Sequence, residues 1–171
     1  AGVQIKNNRG VNRRMKIAVL MGGISSEREV SLKSGNAVLN ALIELGYDAY
    51  AMELNANDMV EKLTTWEYDL AFVVLHGEFG EDGRVQALLD IIGKPYTGSG
   101  FTASAVSMDK VITKKLVEAA GVRSPKSFKN VKETKKENYP IVIKPSLEGS
   151  SVGLHICKTK KEAEAAANAE A

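Results

Sequence analysis

Ile17-Ala18-Val19-Leu20-Met21-Gly22-Gly23-Ile24-Ser25-Ser26-Glu27-Arg28-Glu29-Val30-Ser31-Leu32 is the stretch that decides the fold. The apolar run Ile17–Met21 reads as a buried strand, and two glycines then turn the chain. Val38, Ala41, Leu42 and Leu45 follow at helical spacing. The order is strand, glycine turn, helix. Glu27 therefore falls beside a helix N-terminus at the carboxyl end of a strand, where open α/β sheets hold their ligands. The helix dipole helps keep such a carboxylate ionised, and an ionised carboxylate there suits a ligand's ammonium group. A structural reading competes: Ser26-x-x-Glu29 is a capping-box pattern, although Glu27 is not needed for it. The third glycine of the dinucleotide fingerprint G-x-G-x-x-G is absent, which disfavours a Rossmann dehydrogenase.

Working outward, the first half alternates strands and helices. Gly46 is placed to end the first helix. Tyr47–Leu54 reads as a second strand, and Asn57–Thr64 as a short helix with Met59, Val60 and Leu63 inward. Leu70–Leu75 is a near-continuous apolar run of the kind found in central parallel strands. Gly83–Ile92 is a helix with Val85, Leu88, Leu89 and Ile92 on one face. This alternation predicts an α/β fold, an open parallel sheet covered on both faces.

After Ser107 the composition changes, and the domain boundary is set near residue 107. A helix runs from Asp109 to Ala120 and ends at Gly121. Lys126–Asn138 is polar and lysine-rich. Tyr139-Pro140 leads into a strand, Ile141–Lys144, which a glycine-serine loop joins to Val152–Cys157. Two strands joined by a short loop predict an antiparallel α+β unit. Thr159-x-x-Glu162 is a second capping box, opening an alanine-rich helix. A hairpin and one helix make a thin core, so further protein is expected beyond Ala171. The organisation is then 1–14 as a flexible extension with Met15 a candidate native start, 15–107 as an α/β domain, and 108–171 as a partial second domain.

Composition narrows the function. The 171 residues carry 23 basic and 21 acidic side chains, a net charge of +2, with no basic stripe interleaved with aromatics. That argues against nucleic acid as a partner. No apolar segment approaches a membrane span and no signal peptide is present, so a cytoplasmic location is expected. Cys157 is the single cysteine, and the histidines are only His76 and His155. An internal disulfide is therefore excluded and a zinc site disfavoured.

Three further clusters carry candidate chemistry. His76-Gly77-Glu78-Phe79-Gly80-Glu81-Asp82-Gly83 follows the Leu70–Leu75 run, again at a carboxyl edge. Its glycines let backbone approach a ligand closely. His76 is either a ligand contact or a satisfied core histidine. The loop carboxylates are either metal ligands or, for Asp82, a cap on the next helix. Tyr96-Thr97-Gly98-Ser99-Gly100 and Ser107-Met108-Asp109-Lys110 are, alone, a loop and a helix start. Lys144-Pro145-Ser146-Leu147-Glu148-Gly149-Ser150-Ser151-Val152-Gly153 puts a compact positive charge at a strand end. The glycine-serine loop after it offers hydroxyls and open N–H groups, a pattern that favours phosphate. No Walker A sequence is present.

In this order, the four clusters resemble the D-alanine–D-alanine ligase family, ATP-grasp enzymes of peptidoglycan precursor synthesis. The matching strings span most of the chain from Met15 to about Cys157. The resemblance implies a pre-ATP-grasp N-terminal domain followed by part of an ATP-grasp central domain. It implies that ATP phosphorylates the carboxylate of one D-alanine and that the amine of a second attacks the acyl phosphate. It gives Glu27 the ammonium of the first D-alanine. His76 takes a place near a substrate carboxylate or the second amine, and Ser150 a place in the hydrogen-bonded group closing over the substrates. Lys110 and Lys144 hold ATP phosphates, with Ser151 contributing loop contacts to the transferring phosphoryl group.

The resemblance also implies Mg²⁺ (or Mn²⁺), with its ligands beyond Ala171 and none in this chain. The chain alone is then expected to be inactive. Dimers are usual in the family, so a homodimer stays open. Two rival readings remain: a relative joining D-alanine to D-lactate or D-serine, and a non-enzymatic module that binds a small amino acid.

Overall fold

The computed structural model describes residues 4–6, 12–147 and 153–170. In chain order the elements are β1 (Gln4–Lys6), β2 (Asn12–Arg14), β3 (Lys16–Gly22), α1 (Arg28–Glu44), β4 (Asp48–Leu54), α2 (Met59–Thr65) and β5 (Leu70–Val73). They continue with α3 (Arg84–Ile91), α4 (Phe101–Met108), α5 (Lys110–Ala119), β6 (Ile141–Ile143), β7 (His155–Cys157) and α6 (Lys160–Ala169). Two short 3₁₀ turns, Val131–Glu133 and Lys136–Asn138, precede β6. The chain divides into two compact units, Ala1–Ala105 and Val106–Ala171. No helix among the described residues is long and apolar enough to cross a membrane.

The first unit is built on a parallel sheet in the order β4-β3-β5, with Ile17 level with Ala49 on one side and Leu70 on the other. β3 lies in the middle, which is why its residues are apolar without alternation. Ala18 and Leu20 face a core shared with Met52, Leu54, Leu63, Val85 and Leu89, under α2 and α3. Val19 and Met21 point to the opposite face and pack with Leu32, Val38, Leu39 and Leu42 of α1. The sheet is thus covered on both faces, as the sequence predicts.

Tyr96 adds a single parallel bridge to Ala71. The backbone N–H of Thr97 donates to the Ala71 carbonyl (3.0 Å), and the Thr97 hydroxyl accepts from the Val73 N–H (3.0 Å). The Tyr96–Gly100 string therefore begins as a fourth, minimal strand.

Several local expectations change. The Ser26–Glu29 capping box does not form. The N-cap of α1 is Glu27, with no side-chain cap bond, and Ser25 instead accepts the Glu27 N–H (3.1 Å). Val60 is 58% exposed, because α2 begins only at Met59 and its single buried face is Met59 and Leu63. The ladder of β5 stops at Val73, although Val74 and Leu75 stay buried. Residues 4–6 and 12–14 are not a free extension. They pair as an antiparallel hairpin, and the Arg13 guanidinium forms a two-bond ion pair with Asp69 (2.5 Å each). Asp69 also accepts the Lys16 backbone N–H (2.8 Å), fixing the hairpin to the start of β3.

The second unit carries the antiparallel hairpin β6–β7, with Val142 opposite Ile156. Its inner face packs Ile141, Ile143 and Cys157 against Ala163 and Ala166 of α6, with Val131 and Tyr139 beside them. Thr159 caps α6 by accepting the Glu162 N–H (3.3 Å). The Glu162 carboxylate reaches one residue further back than a capping box requires, to the Lys158 N–H (2.8 Å).

Candidate functional site

At the carboxyl edge of the first sheet, β3 and β5 release their chains side by side. β3 ends at Gly22-Gly23, both with positive φ, and the Gly23 N–H donates to the Leu54 carbonyl (2.9 Å). Gly22 has φ +85°, where an L side chain is strained, and a Cβ there would also lie 3.0 Å from the Leu54 carbonyl oxygen, so glycine suits this turn. Arg28 pairs with Glu53 at the end of β4 (2.5 Å). Behind the turn, Ser31 is fully buried. Its hydroxyl donates to the Val74 carbonyl (2.6 Å) and accepts the Gly22 N–H (2.9 Å), joining α1, β3 and the end of β5.

Glu27 and His76 come together here. Both are half-buried. A Cβ built at Gly77 would meet Oε2 of Glu27 at 3.0 Å and Oγ of Ser25 at 3.1 Å, so the Glu27 carboxylate lies against the backbone that follows His76. The Ser25 hydroxyl donates to the His76 carbonyl (2.7 Å). Nε2 of His76 is buried and has no hydrogen-bond partner among the described residues. A buried imidazole nitrogen without a partner is costly unless a ligand or water completes it. Of the two readings of His76, this geometry leaves Nε2 open to a ligand or water.

The loop carboxylates have other work. Glu81 accepts the Gly77 N–H (2.7 Å). Asp82 accepts from the Phe79 N–H (2.8 Å) and the Arg84 N–H (3.1 Å) and pairs with the Arg84 guanidinium. Burial opposes ionisation of Asp82, but Arg84 and these two N–H groups outweigh it and hold the carboxyl below its ordinary value. Asp82 is not the N-cap of α3, which is Gly83 with no side-chain cap bond; from one residue earlier it holds the Arg84 N–H and guanidinium at the helix start. Among the described residues no cluster of His, Cys, Asp or Glu fit to hold a metal ion occurs.

In the second unit, Lys110 opens α5 behind its N-cap Asp109, whose carboxylate accepts the Val111 and Ile112 N–H groups. The Lys110 backbone N–H and Nζ both donate to the Ser146 carbonyl (3.2 Å each). Lys144 leaves the end of β6 exposed, on the same outward face as Val142. A lysine there needs no buried partner, because that face of the hairpin is open: Val142 is 53% and Ile156 69% exposed. Ser150 and Ser151 lie outside the described residues. His155 pairs with Glu170 (2.9 Å) and takes no part in the Glu27–His76 cluster.

The sequence does not single out Ser25 or Ser31, and it offers Glu81 only as a candidate metal ligand, not as the acceptor of the Gly77 N–H. Ser25 carried a usable signal, since a serine two residues before another N–H commonly closes such a turn. Ser31 did too: with Gly35 it puts two small residues on the apolar face of a helix, a mark of close approach to a sheet.

Two family models match the chain: D-ala D-ala ligase N-terminus over residues 52–99 and D-ala D-ala ligase C-terminus over residues 105–171. The chain belongs to the D-alanine–D-alanine ligase family. It is 53% identical over 152 residues to the D-alanine–D-alanine ligase of Fusobacterium nucleatum, covering 89% of this chain and 52% of that protein. With the Aquifex aeolicus ligase it shares 48% over 153 residues, covering 86% and 52%.

Among solved structures, D-alanine–D-alanine ligase from Bacillus anthracis superposes with a TM-score of 0.78 at 37% identity, over 91% of this chain and 53% of that one. The same enzyme complexed with ATP gives 0.73 at 33%, over 91% and 54%. The chain spans about half the length of the curated ligases it matches.

Proposed function

We propose that these residues hold the first D-alanine and the nucleotide phosphates of an ATP-dependent D-alanine–D-alanine ligase, in the cytoplasmic synthesis of peptidoglycan precursors. The observation that carries the reading is the Glu27 carboxylate lying against the Gly77 backbone, next to His76, whose buried Nε2 has no hydrogen-bond partner among the described residues. Such a pair can hold both charged ends of an amino acid. Glu27 receives the ammonium, and His76 meets a carboxylate or the incoming amine.

In the reaction, a carboxylate oxygen of the first D-alanine attacks the γ-phosphorus of ATP and ADP leaves. The amine of the second D-alanine attacks the acyl carbon, the C–O bond to phosphate breaks, and phosphate departs as the peptide bond forms. Phosphoryl transfer is chiefly positioning and charge neutralisation. Residues 15–107 serve the amino acid, and residues 108–171 serve the nucleotide. The outward face of β6–β7 suits a nucleotide, because it sets the apolar pair Val142 and Ile156 beside Lys144. Lys144 and Lys110, the latter bonded to the Ser146 carbonyl, supply positive charge to phosphates, and Ser150 and Ser151, outside the described residues, contribute hydroxyls. Mg²⁺ (or Mn²⁺) is assigned to ligands outside these residues, so the 171-residue chain alone is expected to lack turnover.

The test has two arms. The 171-residue chain is titrated calorimetrically with D-alanine and L-alanine, and D-alanine should bind in preference. A full-length ligase carrying these residues is assayed for ADP release with D-alanine alone, then with D-lactate or D-serine added. Release with D-alanine alone supports the reading. Release only when D-lactate or D-serine is present moves it to a relative with a different second substrate. D-alanine binding without release by any acceptor supports a binding module.

A further inference from the structure

We infer that Ser25 is a positioning residue that fixes His76 and Glu27 at their working separation, an inference resting on the amino-acid-binding reading of that site. A serine hydroxyl has one proton to donate and lone pairs to accept. Here one oxygen uses both, donating to the His76 carbonyl (2.7 Å) and accepting the Glu27 N–H (3.1 Å). It therefore links the residue bearing the carboxylate to the residue bearing the imidazole, across segments 51 positions apart in sequence.

The link matters because the sheet ladder has already ended. The last β3–β5 bond runs from the Val74 N–H to the Leu20 carbonyl (3.0 Å). Among the described residues, the Ser25–His76 bond is the hydrogen bond that joins residues 24–30 to residues 76–83. The peptide between His76 and Gly77 is held at both ends. Its carbonyl accepts from Ser25, and its N–H donates to Glu81 Oε2 (2.7 Å). Gly77 is buried with φ +65°, and a Cβ there would meet Glu27 Oε2 at 3.0 Å and Ser25 Oγ at 3.1 Å, so a side chain would be strained and would press on both. A peptide plane clamped at both ends cannot rotate, so the imidazole it carries has a fixed origin relative to Glu27. Without the hydroxyl the His76 carbonyl end is released, and the Glu27 N–H loses its acceptor.

The chain has two histidines, which makes the imidazoles a direct reporter. Histidine ring resonances of the 171-residue chain are recorded by NMR for wild type, Ser25→Ala and Ser25→Thr, without and with D-alanine. Ser25→Ala should shift the His76 signals while leaving His155 in place, and should weaken D-alanine binding about tenfold, the size expected for one lost hydrogen bond. Ser25→Thr keeps the hydroxyl and should restore both.

Unmoved His76 signals in Ser25→Ala, or D-alanine binding equal to wild type, would overturn the inference. Should Ser25→Ala fail to fold, Glu81→Ala releases the other end of the same peptide and must give the same loss; wild-type binding there overturns it equally. If wild type ignores D-alanine while Ser25→Ala still shifts His76, the substrate reading fails and the positioning role stands.

Discussion

Glu27 and His76 differ in what made them legible. Glu27 stood out because a strand, a glycine turn and a helix bracket it, and that arrangement is local in sequence. His76 stood out only as a histidine at a strand end. What singles it out physically is a buried Nε2 without a partner among the described residues, which no sequence states. Ser25 was overshadowed by the Ser26 capping pattern, since two adjacent serines offer the same chemistry and only the backbone decides which one bonds. Glu27→Gln keeps the shape and removes the charge. Losing a charge-assisted contact should weaken D-alanine binding by about 10- to 100-fold, measured by calorimetry, with the melting temperature little changed. Ser31→Ala should do the reverse. It strands the buried Gly22 N–H and Val74 carbonyl, and should lower unfolding free energy by about 1–3 kcal/mol in a denaturant titration.

Among the elements, long apolar periods were read well and short ones poorly. β3 and α3 carry enough repeats that periodicity fixes type and inward face; in α1 it fixes the type, but of the four spaced residues Val38 and Leu42 pack inward while Ala41 and Leu45 are exposed. α2 has seven residues and one buried pair, so Val60 could not be placed by pattern alone. The same scale explains Gly35 in the middle of α1. Alanine is the better helix former by about 1 kcal/mol, and propensity alone favours Gly35→Ala. Yet a Cβ there would sit 2.6 Å from Cβ of Met21, which is nearly fully buried in β3. Helix and sheet would have to separate, and overpacking costs about 1–3 kcal/mol. Gly35→Ala should therefore destabilise, read as a lower denaturant midpoint. For α6, Thr159→Ala removes the N-cap acceptor and should cost about 1 kcal/mol.

At the scale of the whole molecule, the feature that the sequence hid is the seating of the N-terminal hairpin. Residues 1–14 contain basic side chains and no acid, which reads as a flexible extension. The acid that receives Arg13 is Asp69, 56 positions away, so composition near the terminus could not reveal the pair. The clamp makes stability depend on pH in a defined direction. Hydrogen bonding and charge from Arg13, together with the Lys16 N–H, outweigh burial and hold the Asp69 carboxyl below its ordinary value of 3.8. A carboxyl whose folded value is depressed stabilises the fold fully above its unfolded value, because the unfolded chain then gains no extra proton. Below about pH 4 the unfolded state begins to bind a proton that the folded state refuses. The contribution is lost as pH falls through the depressed value. Denaturant midpoints measured from about pH 7 down to about pH 3 should stay level as far as Asp69 is concerned and then drop. Asp69→Asn cannot titrate. It should start from a lower midpoint at neutral pH, since the ion pair is gone, and fall less steeply on acidification. An Asp69→Asn profile parallel to wild type would assign the acid sensitivity to the other depressed carboxyls, Asp58, Asp82 and Glu162, and leave the hairpin clamp without a share in it.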